Sequence, residues 1–320
     1  MAGPSRADRI DVHHHFFLPE YLAAMGDMVR MPAVRDWTLA RTHEEMDKHG
    51  VRAAVLSLSP PGIHLGSRDD TRRLARAVND HAAKLRADQP SRFGFFASVP
   101  MPDVDDTLAE ITYALDTLKA DGIQLMTSYG DRWPGHPDFD RVFDELSRRN
   151  TLVFVHPLSP ACCGHLIDWV PPPLAEFPFD TTRCVFSLLF SGTLSRCPDI
   201  RFIFCHAGGT IPMLSGRAAQ TGLDRAFAAR LPRGIDYELQ KLHYDVALAG
   251  YRPALAALFA YVSKSQVLLG SDYPFGTVGD GIRGLAASGL TTGDLDLIYR
   301  GTAERLIPRL KVSPPRSAIW

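Results

Sequence analysis

The chain has 320 residues, of which 45% are hydrophobic and 22% charged, and its formal net charge is -1. That length holds one large α/β barrel or two ordinary domains, and the near-neutral balance offers no basic surface for nucleic acid or an anionic membrane. Met1 to Arg9 is short and polar without an apolar h-region, and no run is long enough to span a bilayer, so a cytoplasmic protein is expected.

The first strand is expected over Arg9 to His15. Side-chain alternation would put His13 and His15 on one face, with Asp11 one step deeper on it, and His14 on the other. Phe16 to Trp37, rich in Met, Pro and aromatics, reads as an insertion or long loop at the C-terminal end of that strand, where a site needs a wall. A short helix follows over Thr42 to His49, with Thr42 as cap, Glu45 three residues on and Gly50 as stop. Val51 to Leu58 is a buried strand, Asp69 to Leu85 a helix, and Arg92 to Val99 a third strand. Apolar residues at 104, 108, 111, 115 and 118 give Asp103 to Ala120 a helical period.

Further strands are expected at Gly122 to Met126, Thr151 to His156, Ile200 to His206, Leu242 to Ala247 and Gln266 to Ser271. Between and after them lie helices at Phe139 to Arg149, Thr181 to Cys197, Ile211 to Ala229, Arg252 to Ser263 and Asp294 to Leu306. Eight short apolar strands alternating with helices predict an α/β fold of parallel βαβ units closed into a (β/α)8 TIM barrel. A doubly wound sheet would place a Gly-rich phosphate turn after the first strand, and histidines stand there instead. No internal repeat or low-complexity linker divides residues 1–320, which are expected to form one domain.

In such a barrel, function gathers at the C-terminal ends of the strands. Those ends carry His13 and His15, then His156 in Val153-Phe154-Val155-His156-Pro157, His206 in Phe204-Cys205-His206-Ala207-Gly208-Gly209, and Asp272 in Gly270-Ser271-Asp272-Tyr273-Pro274-Phe275. A lone histidine at such a position is more often a satisfied core or turn residue. Five chemical groups at the ends of strands one, five, six and eight suit a catalytic metal, which wants about three protein ligands and an open position. His43, His49 and His81 fall on helices, His243 at the start of a strand, and His64, His136 and His165 in loops; all are expected to be structural or exposed. The five cysteines form no CxxC pair, and Cys162-Cys163 is expected to be two ordinary loop thiols rather than a redox or ligand pair. That usage fits a reducing compartment.

These phrases resemble the amidohydrolase superfamily, in the branch of aminocarboxymuconate-semialdehyde decarboxylase. Asp11 to His15, Val155-His156-Pro157, His206-Ala207-Gly208-Gly209 and Gly270 to Phe275 carry the likeness, with Glu45 to Val51 and Arg92-Phe93-Gly94 in support. Within the branch, the 6-methylsalicylate decarboxylase group is similar in Asp11 to Phe16, Arg92 to Ala97 and Tyr129-Gly130-Asp131. Two departures bear on the substrate: Leu158 replaces the aromatic usual after His156-Pro157, and Ala161 to Phe179 is particular to this chain.

The resemblance implies an amidohydrolase-like barrel in which His13, His15, His156 and Asp272 bind one divalent metal ion. Zinc suits three imidazoles and a carboxylate, and manganese is open. It implies that His206 stays off the metal as a proton-transfer group, with Asp272 as the other catalytic candidate. Arg217, eleven residues after His206, would reach the substrate of a neighbouring subunit in a homodimer or higher homo-oligomer. The expected activity is a metal-dependent, non-oxidative decarboxylation of a small aromatic or related unsaturated carboxylic acid. The alternative is a hydrolase in which a metal-activated water attacks a lactone, amide or carbon–carbon bond. A non-catalytic metal-binding barrel is the third reading.

Overall fold

The computed structural model describes residues 8–163, 166–221 and 225–312. Eight parallel strands run in the order β1 (Arg9–His15), β2 (Val51–Ser57), β3 (Phe93–Ser98), β4 (Gly122–Met126), β5 (Leu152–His156), β6 (Arg201–Phe204), β7 (His243–Asp245) and β8 (Val267–Leu268). The sheet closes on itself. Val12 N–H donates to Leu269 O at 3.0 Å, Asp272 N–H to His13 O at 2.9 Å, and His15 N–H to Tyr273 O at 2.8 Å. This is the (β/α)8 barrel that the strand–helix alternation predicts.

Two apolar layers hold it. The outer layer fills the space between strands and helices. The inner one stacks Ile10, Val12, Ala53, Val55, Phe96, Phe154 and Ile203 inside the barrel. Leu306, Ile307 and Leu310 from the end of the chain plug its N-terminal floor. Both faces of each strand are therefore dry, which is why the strands read as near-continuous apolar runs.

β1 departs from simple alternation. Asp11 lies opposite Ala54 and His14 opposite Leu56, so three residues of β1 oppose two of β2. A bulge of this kind re-aims side chains. Ile10 and Val12 face inward, while Asp11 turns to the outer side and bonds His14 Nδ1 at 2.9 Å. Asp11 thus shares its side with His14, not with His13 as alternation predicted.

Other elements shift in ways that have local causes. Thr38, not Thr42, caps the helix Leu39–Lys48 by accepting from Arg41 N–H; Thr42 is buried one turn in, where its hydroxyl accepts from Trp37 Nε1–H. The segment after β1 is built of short helical turns, Pro19–Ala24, Gly26–Arg30 and Pro32–Arg35, rather than open loop. The helix expected from Thr181 starts earlier, running Pro172–Phe190 through Pro178, and Thr193–Arg196 forms a separate turn. The predicted helix Asp103 to Ala120 passes from Val104–Thr112 into a wider turn at Tyr113–Thr117. The last predicted helix, Asp294 to Leu306, splits into Thr292–Asp296, a wide turn at Leu297–Gly301, and Thr302–Leu306. β8 is only two residues long.

Candidate active site

The C-terminal ends of β1, β5, β6 and β8 converge on one buried point. Asp272 Oδ1 lies 2.7 Å from His15 Nε2, 3.0 Å from His13 Nε2 and 3.7 Å from His156 Nε2. His206 Nε2 is 3.6 Å from Asp272 Oδ2. His13 and His15 are fully buried, and the other three are nearly so. Ligand atoms of His13, His156, His206 and Asp272 all lie within 4.8 Å of one another. His15 joins them through its 3.2 Å approach to His13 Nε2.

The outer nitrogens of the three histidines decide where their protons sit. His13 Nδ1 meets Asp245 Oδ2 at 2.9 Å, His15 Nδ1 meets Ser57 O at 3.1 Å, and His156 Nδ1 meets Pro157 O at 2.9 Å. Each partner only accepts, so each Nδ1 carries the hydrogen and each Nε2 presents a lone pair. Three lone pairs then point at a carboxylate oxygen. His156 Nε2 and His206 Nε2 are buried without a hydrogen-bond partner among the described residues. Acceptor facing acceptor in a dry site is unfavourable, and a cation at the centre is what such a set fits.

The electrostatics agree in direction. Burial pushes the His156 imidazole down to about 3, against the pull of Asp272. Burial also lowers His15. Burial works against the charge of Asp272, yet His13, His15 and His156 hold it well below the usual carboxylate range. His13 is the exception: burial lowers it, but Cys205, Asp245 and Asp272 around the ring raise it well above its ordinary value.

Backbone strain marks the same place. His206, Ala207 and Asp272 have φ of 54°, 58° and 59°, a region that non-glycine residues rarely adopt. The strain is held by two hydrogen bonds: His206 N–H donates to Asp245 Oδ1 at 3.0 Å, and the Ser271 hydroxyl donates to Asp11 Oδ2 at 2.6 Å.

One residue in this shell, Asp245, carries no motif of its own, and a second, Asp11, lies on the face opposite to the one alternation predicts. Asp245, fully buried at the end of β7, orients His13 and caps the turn after it. Its signal was an acid at the end of a strand already recognised, in Tyr244-Asp245-Val246. Asp11 was recognised but placed on the wrong face; it holds Ser271 and His14 from outside. His14 also stacks on Tyr273 with ring centroids 4.8 Å apart.

Arg217 is exposed on the helix Ile211–Thr221, outside the cluster. His243 lies at the floor end of β7, His49 sits beside Glu45, and His136 caps the turn Pro137–Phe139. His43 packs against Phe93, and His64 lies exposed with its Nδ1 3.4 Å from Thr71 Oγ1. His81, half-buried, packs flat against Phe16. His165 lies outside the described residues. Cys162 and Cys163, expected as free thiols, are instead joined as a disulfide between neighbours; Cys184, Cys197 and Cys205 are free and buried. No helix among the described residues is long and apolar enough to cross a membrane.

The Amidohydrolase family signature matches residues 10–309. The chain is 34% identical over 332 residues to decarboxylase macB of Penicillium terrestre, covering 98% of each chain. It is 36% identical over 282 residues to the 6-methylsalicylic acid decarboxylase of Penicillium expansum, covering 83% of this chain and 85% of that one. A crystal structure of dihydroxybenzoic acid decarboxylase from Polaromonas sp. JS666, with bound manganese and the inhibitor 2-nitroresorcinol, superposes with a TM-score of 0.83 at 19% identity, covering 95% of this chain and 98% of that one. The chain belongs to the amidohydrolase family. Within it the chain falls among the decarboxylases, as its sequence motifs imply.

Proposed function

We propose that the chain is a metal-dependent, non-oxidative decarboxylase of a small aromatic acid of the hydroxybenzoate or 6-methylsalicylate type, held by His13, His15, His156 and Asp272 through one divalent cation. The observation that carries this is the convergence of three Nε2 atoms and one carboxylate oxygen on one point. Three imidazoles and a carboxylate suit zinc. Manganese, the ion in the Polaromonas neighbour, is the competitor that elemental analysis separates. Held by these four residues, the ion would supply Lewis-acid polarisation of the substrate carboxylate and an ortho hydroxyl.

The remaining steps belong to the protein. His206 Nε2 has no partner among the described residues and stands 3.6 Å from Asp272. It delivers a proton to the ring carbon that bears the carboxylate, the work of a positioned general acid. The carbon–carbon bond then breaks, its electron pair returns to the ring, and carbon dioxide leaves. Asp272 is the alternative donor, but the same histidines that hold it ionised oppose that duty. Phe177 and Phe275 stand edge-on to His156 and His15 at 6.3 and 5.9 Å and give an aromatic ring apolar walls.

Assembly completes the reading. Arg217 on an exposed helix face would grip the acid of a partner subunit across a two-fold interface, bidentate to its carboxylate. Trp169, Leu174, Phe179 and Met213 are exposed and supply apolar surface that a homodimer would cover. Arg217→Ala and His206→Ala, each inactive alone, are expected to regain part of the activity when their subunits are exchanged. A monomer by sedimentation with full activity would exclude this arrangement.

The test of the activity is a panel of hydroxybenzoates and 6-methylsalicylate, assayed for carbon dioxide release, with metal content measured on the same sample. Release from an aromatic acid that scales with metal content is expected. Hydrolysis of a lactone or amide without any decarboxylation would overturn the proposal.

A further inference from the structure

Asp180 is fully buried on the helix Pro172–Phe190 and takes no part in the cluster around Asp272. Its carboxylate accepts three hydrogen bonds. Thr127 Oγ1 and Ser128 Oγ donate to Oδ2 at 2.5 and 2.8 Å, and Trp133 Nε1 donates to Oδ1 at 2.7 Å. All three donors come from the segment that follows β4. The Arg183 guanidinium stands 3.9 Å away, beyond hydrogen-bond range. A buried acid without a bonded cation is costly unless it is fully hydrogen-bonded. An apolar residue could join a helix to a loop, whereas three converging donors call for the acceptor capacity of a carboxylate.

Two routes lead from Asp180 to His156. In the first, Thr127 N–H donates to His156 O at 3.0 Å, while Thr127 Oγ1 accepts from Leu158 N–H at 3.0 Å. Thr127 therefore grips the chain on both sides of Pro157, whose carbonyl receives the His156 Nδ1 hydrogen. In the second, Phe177 sits one helical turn before Asp180 and sets its ring edge-on to His156, 6.3 Å between centroids.

We propose that Asp180 is a positioning residue for the metal site, acting on His156 through Thr127 and Phe177. It fixes the carbonyl that sets the His156 tautomer and the ring that sets its plane. This rests on the reading of His156 as a metal ligand. The sequence hid it, because Asp180 lies far from the strand ends that carry the chemistry and its partners lie 47 to 53 residues away.

The test uses the full-length enzyme and measures Zn2+ and Mn2+ affinity by competition with a chromophoric chelator, alongside Tm and kcat. Asp180→Ala and Thr127→Val are expected to weaken metal affinity by about 10–100-fold, the usual cost of disturbing the shell that orients a ligand. Asp180→Asn should lose less, because its amide oxygen still accepts from Trp133. Ser128→Ala, which touches Asp180 but no bond leading to His156, should bind metal like the parent. Asp121→Asn at the barrel floor serves as the stability control. Should Asp180→Ala fail to fold, Thr127→Val decides alone. Parental metal affinity in Thr127→Val overturns the proposal, and so does an equal affinity loss in Asp121→Asn at matched Tm. His156→Ala is run beside them: a full metal complement there would refute the ligand reading, which is a separate failure.

Discussion

The two ends of the barrel treat charge in opposite ways. At the floor, acids meet guanidinium groups: Asp121 lies against Arg309 at 2.5 Å and Glu304 against Arg52 at 3.3 Å. Above these pairs, Leu306 and Ile307 close the interior with hydrocarbon. At the mouth, four histidines and Asp272 crowd together, and among the described residues no guanidinium bonds to any of them. Ring nitrogens there crowd one carboxylate, backbone is strained, and among the described residues two of the Nε2 atoms have no hydrogen-bond partner. A region built for stability pairs its carboxylates with cations of its own. One built for chemistry leaves them to be satisfied by what it binds, and in this fold that region is the C-terminal face.

Changes at the two ends should therefore fail differently, and the largest effect is expected at the centre of the mouth. Asp272→Ala or His13→Ala should remove bound metal and activity together, and full metal occupancy in both by elemental analysis would break the contrast. His206→Ala comes next. It should keep its metal and lose roughly 10²–10⁴ in turnover, the range of a general acid or base. Parallel metal loss would make His206 a ligand. Asp245→Asn should cost about 10–100-fold in metal affinity or kcat, because His13 loses the acceptor that fixes its tautomer. At the floor, Leu306→Ala should lower unfolding free energy by roughly 2–5 kcal/mol while kcat at a temperature well below Tm stays at the parental value. A floor variant that lost turnover at full folding would show that the two ends are coupled.

Much of the mouth was legible because strand ends announce themselves. An apolar run that stops at His156, His206 or Ser271-Asp272 says where the barrel opens, since a strand buried on both faces must be apolar until it reaches the site. The helices were legible by period but not by boundary. Thr42 and Thr38 are equally good caps as residue types, and only the docking of Trp37 onto the Thr42 hydroxyl decides between them. Cys162 and Cys163 carry no pairing information in an odd set of five thiols.

By itself, the sequence determined the (β/α)8 alternation and the identity of the five groups at its strand ends, because hydrophobic period and side-chain chemistry are local properties. Tertiary structure decided the rest. The bulge in β1, set by pairing with β2, turned Asp11 away from His13. The closing of β7 against β6 and β8 brought Asp245 to a histidine 232 residues away. The packing of the helix Pro172–Phe190 delivered Asp180 to the β4 loop. Each is a contact between elements far apart in the chain, and no local pattern encodes which distant group will lie opposite once the barrel closes.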